Sequence, residues 1–383
     1  MRILYLSDSG PYSSTFIRQD VEYFAQAQEA FYGCFVADKE YPGKTIGTKI
    51  LDFPQYSLMT RIKDRLEKLD LLLDMSDSGF AERLQKLIDE FKPDIIHSQF
   101  TYEGIKFFDN IKTDIPVVTN FRGYDASSKL RKNQYVKKLK KILSSPTVYP
   151  VFVCKALRSN LEQKQIPVRP DHLILYTGIQ LNRFKKQNRI LPESPVFIQV
   201  SSFDGKKGHD VSIRAFKKFI EQTGRTDAQL TFIGSGKMFE ASKQLTNELG
   251  LDQNIQFRGN LPQNEIIPLL DKASVFIHHS LTSSDGNMEG IPNAVIEAMA
   301  MELPVLSTYH AGIPEAVVHG VNGLLCQEGD IETYAQQMGE IYTWGYKEEN
   351  RKAVESQFSF ESHVQKLENF YKFIIAEKKK QQA

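Results

Sequence analysis

The sequence predicts an α/β fold: two Rossmann-like halves, each with a parallel sheet. Three observations carry this. Short, strand-length apolar runs alternate with helical patterns along the whole chain, which is the sequence form of a parallel, doubly wound sheet. The alternation pauses at Asn182–Pro195, which is polar, holds two prolines and has no periodicity, and then restarts. At 383 residues the chain also exceeds one ordinary hydrophobic core, so two domains are expected.

In the first half, Arg2–Leu6 reads as a buried strand, followed by the loop Ser7–Pro11 and a helix over Thr15–Gln28 with Phe16, Val21, Phe24 and Ala25 apolar. Phe31–Val36 is a second strand, and Met59–Phe91 carries two helical patterns. Strand Pro93–His97, helix Tyr102–Asn110, strand Ile115–Asn120, helix Ser128–Leu143, strand Thr147–Val153, helix Lys155–Lys164 and strand His172–Leu175 follow. In the second half the strands are Val196–Ser201, Leu230–Ile233, Ile255–Phe257, Val275–His278, Pro304–Ser307 and Leu324–Cys326. Two helices, Lys347–Gln357 and Phe360–Lys378, close the chain. Two such halves put a cleft between them, and ligands commonly bind at strand carboxyl ends.

Composition narrows the function. A hydrophobic content of 41% with 25% charged residues is ordinary globular composition. A net charge of +1 gives no general positive field, which argues against nucleic acid as a partner. Cys34, Cys154 and Cys326 have no metal-ligand spacing and read as free thiols in a reducing compartment. Ile3–Leu6 is too short for the apolar core of a signal peptide, and no run approaches the roughly twenty apolar residues of a membrane span. A cytoplasmic protein is expected.

The most informative stretch is Asp285–Glu315. Pro292 suits a helix start, having a fixed φ and no N–H to leave unpaired. From Ala294 to Met301 the helix is apolar on every side except at Glu297, so it is a buried helix carrying a carboxylate that needs hydrogen-bond donors. The glycine-containing lead-in presents N–H groups at a helix N-terminus, where an anion is favoured. A phosphate at the helix start and hydroxyls one turn on would satisfy both features. Lys206-Lys207-Gly208 lies just after a strand, where a cation suits an anionic leaving group; the bland reading of Lys207 is a solvated loop lysine. A dinucleotide fingerprint is absent after the first strand, and Gly234-Ser235-Gly236-Lys237-Met238-Phe239 has Phe239 at the third glycine position, so a tight turn describes it better.

Glu289 and Glu297, separated by seven residues and flanked by EGIP, EAMA, LPVLST and GIPE, resemble the E-x7-E signature of retaining GT-B glycosyltransferases. Within that large group 1 family the chain resembles bacterial colanic-acid and exopolysaccharide transferases. STFIRQDVEYF, KPDIIHSQF, VTNFRGYD, YTGIQLNRF, SSFDGKKGHD, IGSG and VFIHHS extend the resemblance over most of the chain. It implies two facing Rossmann domains. Residues 1–180 with helix 360–378 crossing back would form the acceptor domain, and residues 190–358 the nucleotide-sugar donor domain. Glu289 would hold donor-sugar hydroxyls and Glu297 the ribose hydroxyls. Gly290, Ile291, Pro292 and Asn293 would meet sugar and phosphate through backbone groups, and Gly234 would line the same donor site. Lys207, helped by Lys206, would stabilise the leaving diphosphate; Ser202 stands where the family usually has an arginine. Gly10 matches the N-terminal glycine loop, although a plain turn glycine is the competing reading. Arg122-Gly123-Tyr124-Asp125 matches a loop that usually begins with histidine. Arg122 cannot be a general base, and it reads either as an anion-binding group or as the partner of Asp125.

What the resemblance implies is a retaining, metal-independent transferase without cofactor. It would move a sugar from a UDP-sugar, or a GDP-sugar, to a glycan or lipid-linked glycan in surface polysaccharide biosynthesis. A non-catalytic nucleotide-sugar or glycan-binding protein is the alternative, kept open by Ser202 and Arg122, and a GT-B epimerase is a second. Lys129–Lys141 holds seven basic residues and no acidic one. It reads either as a solvated helix whose apolar side packs on the N-terminal sheet, or as a helix at an anionic membrane surface. His97, His278 and His279 read as satisfied core or rim groups. Glu302 occupies the position where the family ends its helix with glycine. A left-handed backbone there would be strained, and a carboxylate at a helix C-terminus opposes the macrodipole.

Overall fold

A computed structural model of the protein describes residues 1–9, 15–27, 29–36, 50–52, 78–111, 113–186 and 190–382. Gly10 and the first of the two helical patterns expected in Met59–Phe91 lie outside the described residues. The chain divides into two units, Met1–Leu175 with Val364–Ala383, and Tyr176–His363.

The first unit is built on a seven-stranded sheet of β1 (Arg2–Ser9), β2 (Glu29–Val36), β3 (Ile50–Asp52), β4 (Ile95–Ser98), β5 (Val117–Phe121), β6 (Val148–Phe152) and β7 (Leu173–Ile174). The order is β3-β2-β1-β4-β5-β6-β7, and the paired strands run parallel. Strands β4, β5 and β6 are buried throughout, as expected where helices cover both sheet faces. The edge strand β3 is an addition that the hydrophobic pattern did not predict. The final helix, Phe360–Gln382, belongs to this unit from Val364 onward and buries Leu367, Tyr371 and Ile374 with Ile3, Tyr5, Val21 and Phe24.

The continuous helix expected over Ser128–Leu143 is broken. Ser128–Arg131 forms a 3-10 turn, Lys132 is extended, and the α-helix runs Asn133–Leu143. Leu130 and Tyr135 are both buried, yet five positions apart they would lie about 140° from each other on one unbroken helix. The break at Lys132 lets both face the core. Tyr135, Leu139, Ile142 and Leu143 are buried, so the apolar side of this basic helix packs within the unit.

The second unit has a six-stranded sheet of β8 (Val196–Val200), β9 (Gln229–Ile233), β10 (Ile255–Phe257), β11 (Val275–Ile277), β12 (Val305–Thr308) and β13 (Gly323–Cys326). Its order is β10-β9-β8-β11-β12-β13, with parallel pairing. The alternation of side chains along β11 divides the core. Phe276 joins the cluster that holds helix Asn293–Ala300, while Val275 and Ile277 join the one that holds helices His209–Thr223 and Ile331–Ile341. Strand order reverses between β8 and β11, and loops leaving the carboxyl ends of strands at such a switch point are where open α/β sheets bind ligands.

Helix Asn293–Ala300 is capped by Pro292, which keeps an extended ψ of 128°, so the first helical residue is Asn293. At its other end Glu302 is left-handed, with φ 59°. The N–H of Leu303 donates to the Ala298 carbonyl at 3.1 Å and that of Glu302 to the Met299 carbonyl at 2.9 Å, the two bonds of a Schellman motif. The Glu302 carboxylate is met by Lys186 Nζ at 2.7 Å, so the ammonium offsets a charge that would otherwise oppose the helix dipole. Among the described residues no helix is long and apolar enough to cross a membrane.

Candidate functional site

Five loops at the carboxyl ends of β8, β9, β11, β12 and β13 carry the candidate residues of the second unit. After β8 the chain turns through Ser201–Asp204 into the 3-10 turn Gly205–Lys207 and then helix His209–Thr223. The turn is fixed at both ends: the Leu281 N–H donates to the Lys206 carbonyl at 2.9 Å, and Gln199 Nε2 donates to the Lys207 carbonyl at 2.9 Å. Gly208 makes the turn fit. Its φ is 56°, and a Cβ there would lie 2.2 Å from the His279 carbonyl oxygen.

So anchored, the Lys207 ammonium meets the Glu289 carboxylate in an ion pair whose side chains are each 12% exposed. The two residues assigned separate parts of a donor site are therefore in direct contact. One carboxylate oxygen of Glu289, Oε1, is buried and has no hydrogen-bond partner among the described residues. The neighbouring N–H groups of Gly290 and Ile291 likewise donate to no acceptor among the described residues. A largely buried charged pair with one oxygen and two N–H groups beside it that lack protein partners among the described residues is suited to a polyhydroxylated or phosphorylated ligand.

The remaining charge at this place is limited. Burial, and then the Lys207 charge, push the His278 imidazole well below the usual histidine range and that of His209 down to about 3. Burial lowers His279 to about 4. These rings are neutral at neutral pH, leaving Lys207 as the positive group among them. Their roles are structural. Ser201 Oγ lies 3.1 Å from His209 Nε2, and His279 Nε2 accepts the Gly329 N–H at 2.9 Å.

Glu297 sits one helical turn beyond the helix start, partly buried. Burial pushes its carboxyl up to about 7, against a slight opposing pull from Gln263, whose Nε2 lies 3.5 Å from Oε1. A carboxyl so poorly provided with donors is what the sequence predicts for a group awaiting ligand hydroxyls. Ser202, by contrast, is tied to Asp204, with Oγ donating to Oδ2 at 2.8 Å. Gly234, φ 136°, gives its N–H to the Gly259 carbonyl, and a Cβ there would come within 2.0 Å of the Ser201 carbonyl oxygen. What Gly234 supplies is close approach of the β8 and β9 ends, with no N–H left for a ligand. Among the described residues no group of three or more His, Cys, Asp or Glu side chains is placed to hold a metal ion. Cys154 and Cys326 are buried free thiols.

Arg122 belongs to the first unit, at the carboxyl end of β5. Its Nε donates to the Gln99 carbonyl at 3.1 Å and its terminal nitrogen to Gln99 Oε1 at 2.9 Å, with the guanidinium 4.3 Å from the Phe16 ring centre. The Asp125 carboxylate accepts the backbone N–H groups of Arg122, Gly123 and Thr101. Burial nevertheless raises its carboxyl above the usual range, the three N–H groups and the Arg122 charge pulling the other way.

One group that sequence reasoning passed over touches the Glu289 loop. His310, after β12, is fully buried; its Nε2 accepts the Glu289 N–H at 3.3 Å and its Nδ1 lies 2.6 Å from Glu328 Oε1. The signal available in the sequence was His310 itself, a histidine two residues after a strand end that the motif did not use.

Comparison with known proteins follows this geometry. Residues 181–356 match the family model described as glycosyl transferases group 1. The chain is 38% identical over 159 residues to the amylovoran biosynthesis glycosyltransferase AmsK of Erwinia amylovora, covering 41% of this chain and 39% of that protein. It is 31% identical over 223 residues to the putative colanic acid biosynthesis glycosyltransferase WcaL of Escherichia coli K12, covering 58% and 54%. The matched stretch thus spans about half or less of these relatives. Among solved structures it is similar to a sucrose-phosphate synthase from Thermosynechococcus elongatus, with TM-score 0.76, 17% identity and coverage of 98% and 99%. It is also similar to Anabaena Alr3699/HepE in complex with UDP and glucose, with TM-score 0.66, 15% identity and coverage of 96% and 98%. At these identities the likeness concerns the fold, which is the α/β GT-B architecture of two Rossmann-like domains.

Proposed function

We propose, from a C-terminal unit that belongs to the glycosyl transferases group 1 family, that this chain transfers a sugar from a nucleotide-diphosphate donor to a glycan or lipid-linked glycan acceptor. The reaction is a step of surface polysaccharide biosynthesis and proceeds with retention of anomeric configuration. The observation that carries the reading is the buried Lys207–Glu289 pair at the β8–β11 switch point. The names of the amylovoran and colanic acid relatives support the polysaccharide context, and the UDP in the Anabaena structure supports a UDP-sugar donor, with a GDP-sugar the other choice.

In this reading Lys207 meets the diphosphate and stabilises the negative charge that develops as the glycosidic C–O bond breaks, a part that a divalent metal plays in other transferases. Glu289 accepts from donor-sugar hydroxyls, with Gly290 and Ile291 N–H groups beside it, and Glu297 accepts from the ribose. Retention follows from the departing phosphate oxygen taking the acceptor's proton on the same sugar face, so no protein nucleophile is required. Arg122 is the candidate acceptor-side group. The apolar side of the basic helix is buried within its own unit, which supports the solvated-helix reading; an attraction of its lysines to an anionic membrane surface would be electrostatic alone.

The test is sugar release and transfer from UDP- and GDP-sugars, with the product anomer read by NMR. Lys207→Ala should chiefly slow turnover and Glu297→Ala should weaken nucleotide binding; unchanged turnover in both variants sinks the assignment. One observation favours a second reading. Ser202, where the family usually has a cation, is tied to Asp204, which suits a protein that binds a nucleotide sugar without cleaving it. Absence of sugar release from every donor that binds would establish that reading.

A further inference from the structure

Glu328, after β13, holds the loop leading to Glu289 at two places. Its Oε2 accepts the Thr282 N–H at 2.7 Å and its Oε1 the Thr282 hydroxyl at 3.1 Å, which pins the loop where it leaves β11. The other end is reached through His310. Since His310 Nε2 accepts the Glu289 N–H, the ring proton sits on Nδ1 and is donated to Glu328 Oε1 at 2.6 Å. Burial alone would raise the Glu328 carboxyl, but the Thr282 N–H, His310 and the Thr282 hydroxyl together hold it below the usual glutamate range. Between the two pins the loop is tightly turned: the Gly286 N–H donates to the Ser283 carbonyl at 2.7 Å, and Asp285 accepts from Ser283 Oγ at 2.8 Å and the Asn287 N–H at 3.0 Å. Next to His310, Ala311 is held at φ 43°, a left-handed backbone that is strained in a residue with a Cβ, while the Gly312 N–H reaches the Gly290 carbonyl at 3.3 Å. Strain maintained beside a buried histidine that is paired with a partly exposed carboxylate is the mark of a held geometry.

We infer that His310 and Glu328 are a positioning pair that clamps the Thr282–Glu289 loop and so sets where the Glu289 carboxylate meets the donor sugar. The inference rests on the reading of Glu289 as a donor-sugar group. Neither His310 nor Glu328 touches the substrate; each acts through the backbone. A nucleoside diphosphate without its sugar does not need the clamp, because Lys207 and Glu297 hold it. The pair is therefore a determinant of sugar placement and not of nucleotide affinity.

The experiment uses the full chain and the variants His310→Phe, His310→Gln and Glu328→Gln. In ligand-free protein, hydrogen exchange read by mass spectrometry should speed up in peptides covering 282–290 for His310→Phe, and return toward wild type for His310→Gln, whose amide can both accept and donate. UDP affinity by calorimetry should not fall in any of the three. Sugar release from UDP-glucose should fall on the order of a hundredfold in His310→Phe, with His310→Gln recovering most of it, as expected for a displacement of about 1 Å at a reacting group. Unchanged exchange over 282–290 in His310→Phe overturns the clamp whatever the activity. Loss of UDP affinity in step with sugar release overturns the positioning role in favour of general support of the fold. Failure of the wild type to bind any sugar nucleotide refutes the donor reading alone, and the exchange measurement still decides the clamp.

Discussion

Replacing Glu289 with Gln should tighten the binding of free nucleoside diphosphate while it slows transfer. In the empty site the Lys207 ammonium is held by Glu289, both side chains 12% exposed, in a charge-assisted hydrogen bond of a kind worth about 1.5–3 kcal/mol net. A diphosphate must draw the ammonium away from that carboxylate and then place its own negative charge beside it. The amide removes both costs and keeps nearly the same shape. If half the pair's strength is recovered, the gain is about 0.8–1.5 kcal/mol, or roughly four- to twelvefold in affinity. The assay is calorimetric titration with UDP and GDP, run beside sugar release from UDP-glucose, where the variant should lose the contact to sugar hydroxyls. A Glu289 that does nothing but hold the transferred sugar predicts no change in UDP affinity, since UDP lacks that sugar. Equal or weaker UDP binding by folded Glu289→Gln protein therefore refutes the argument. The single variant Lys207→Ala supplies a control on the energetics. It strands the Glu289 carboxylate in a buried place and should cost about 3–5 kcal/mol of stability, most of it regained in the double variant Lys207→Ala/Glu289→Gln.

Three more expectations concern pH and backbone. Burial pushes the Glu297 carboxyl up to about 7 in the folded protein, from an ordinary value of 4.5. The folded state thus keeps a proton that the unfolded chain gives up, so stability falls as pH rises from the lower value through the upper one. Glu297→Gln should flatten that decline, read as the change of melting temperature with pH. In wild type, nucleotide affinity should rise across the same upper value, as the ionised carboxylate becomes the better acceptor for ribose hydroxyls; calorimetry one pH unit either side checks it. Glu302→Gly relieves a left-handed backbone of about 1 kcal/mol and gives up an ion pair of at most ~1 kcal/mol, because Lys186 is half exposed. Glu302→Ala gives up the pair and keeps the strain. Denaturant midpoints should therefore rank wild type and Gly together, above Ala. Gly208→Ala should cost clearly more than Gly250→Ala, because both glycines have a positive φ but only the first would drive a Cβ into a neighbouring carbonyl. Equal losses in the two would mean that the Gly208 approach to His279 is not tight.

Much of the fold was legible because it depends on local pattern. The alternation of strands and helices and the buried helix that carries Glu297 follow from period and proline rules applied within a dozen residues, whereas the reading of Glu302 came from the family's usual glycine at that position. The break at Lys132 was not legible, because a basic run hides which of its few apolar residues must turn inward. The candidate residues could be listed from the sequence, but not their arrangement. Lys207 and Glu289 lie 82 positions apart, and they meet because β8 pairs with β11 across a crossover, a neighbour relation that hydrophobic periodicity does not encode. His310 was missed for the same reason: a histidine after a strand means little until the loops from β11 and β13 are seen on either side of it.

Glu302 shows the limit from the other direction. The family's usual glycine and the helix-dipole rule together marked this helix end as strained if left-handed and as wrongly charged, and the structure has both features, with a lysine 116 positions away supplying the missing countercharge. The rule was correct about the cost and silent about its compensation. Local reasoning finds the residues that carry a cost, and tertiary contacts decide whether that cost is cancelled, as at Glu302, or left standing, as at the unpartnered Glu289 oxygen. Where it is left standing, in a loop held by His310 and Glu328 at a sheet's switch point, the uncancelled cost is itself the argument for a ligand.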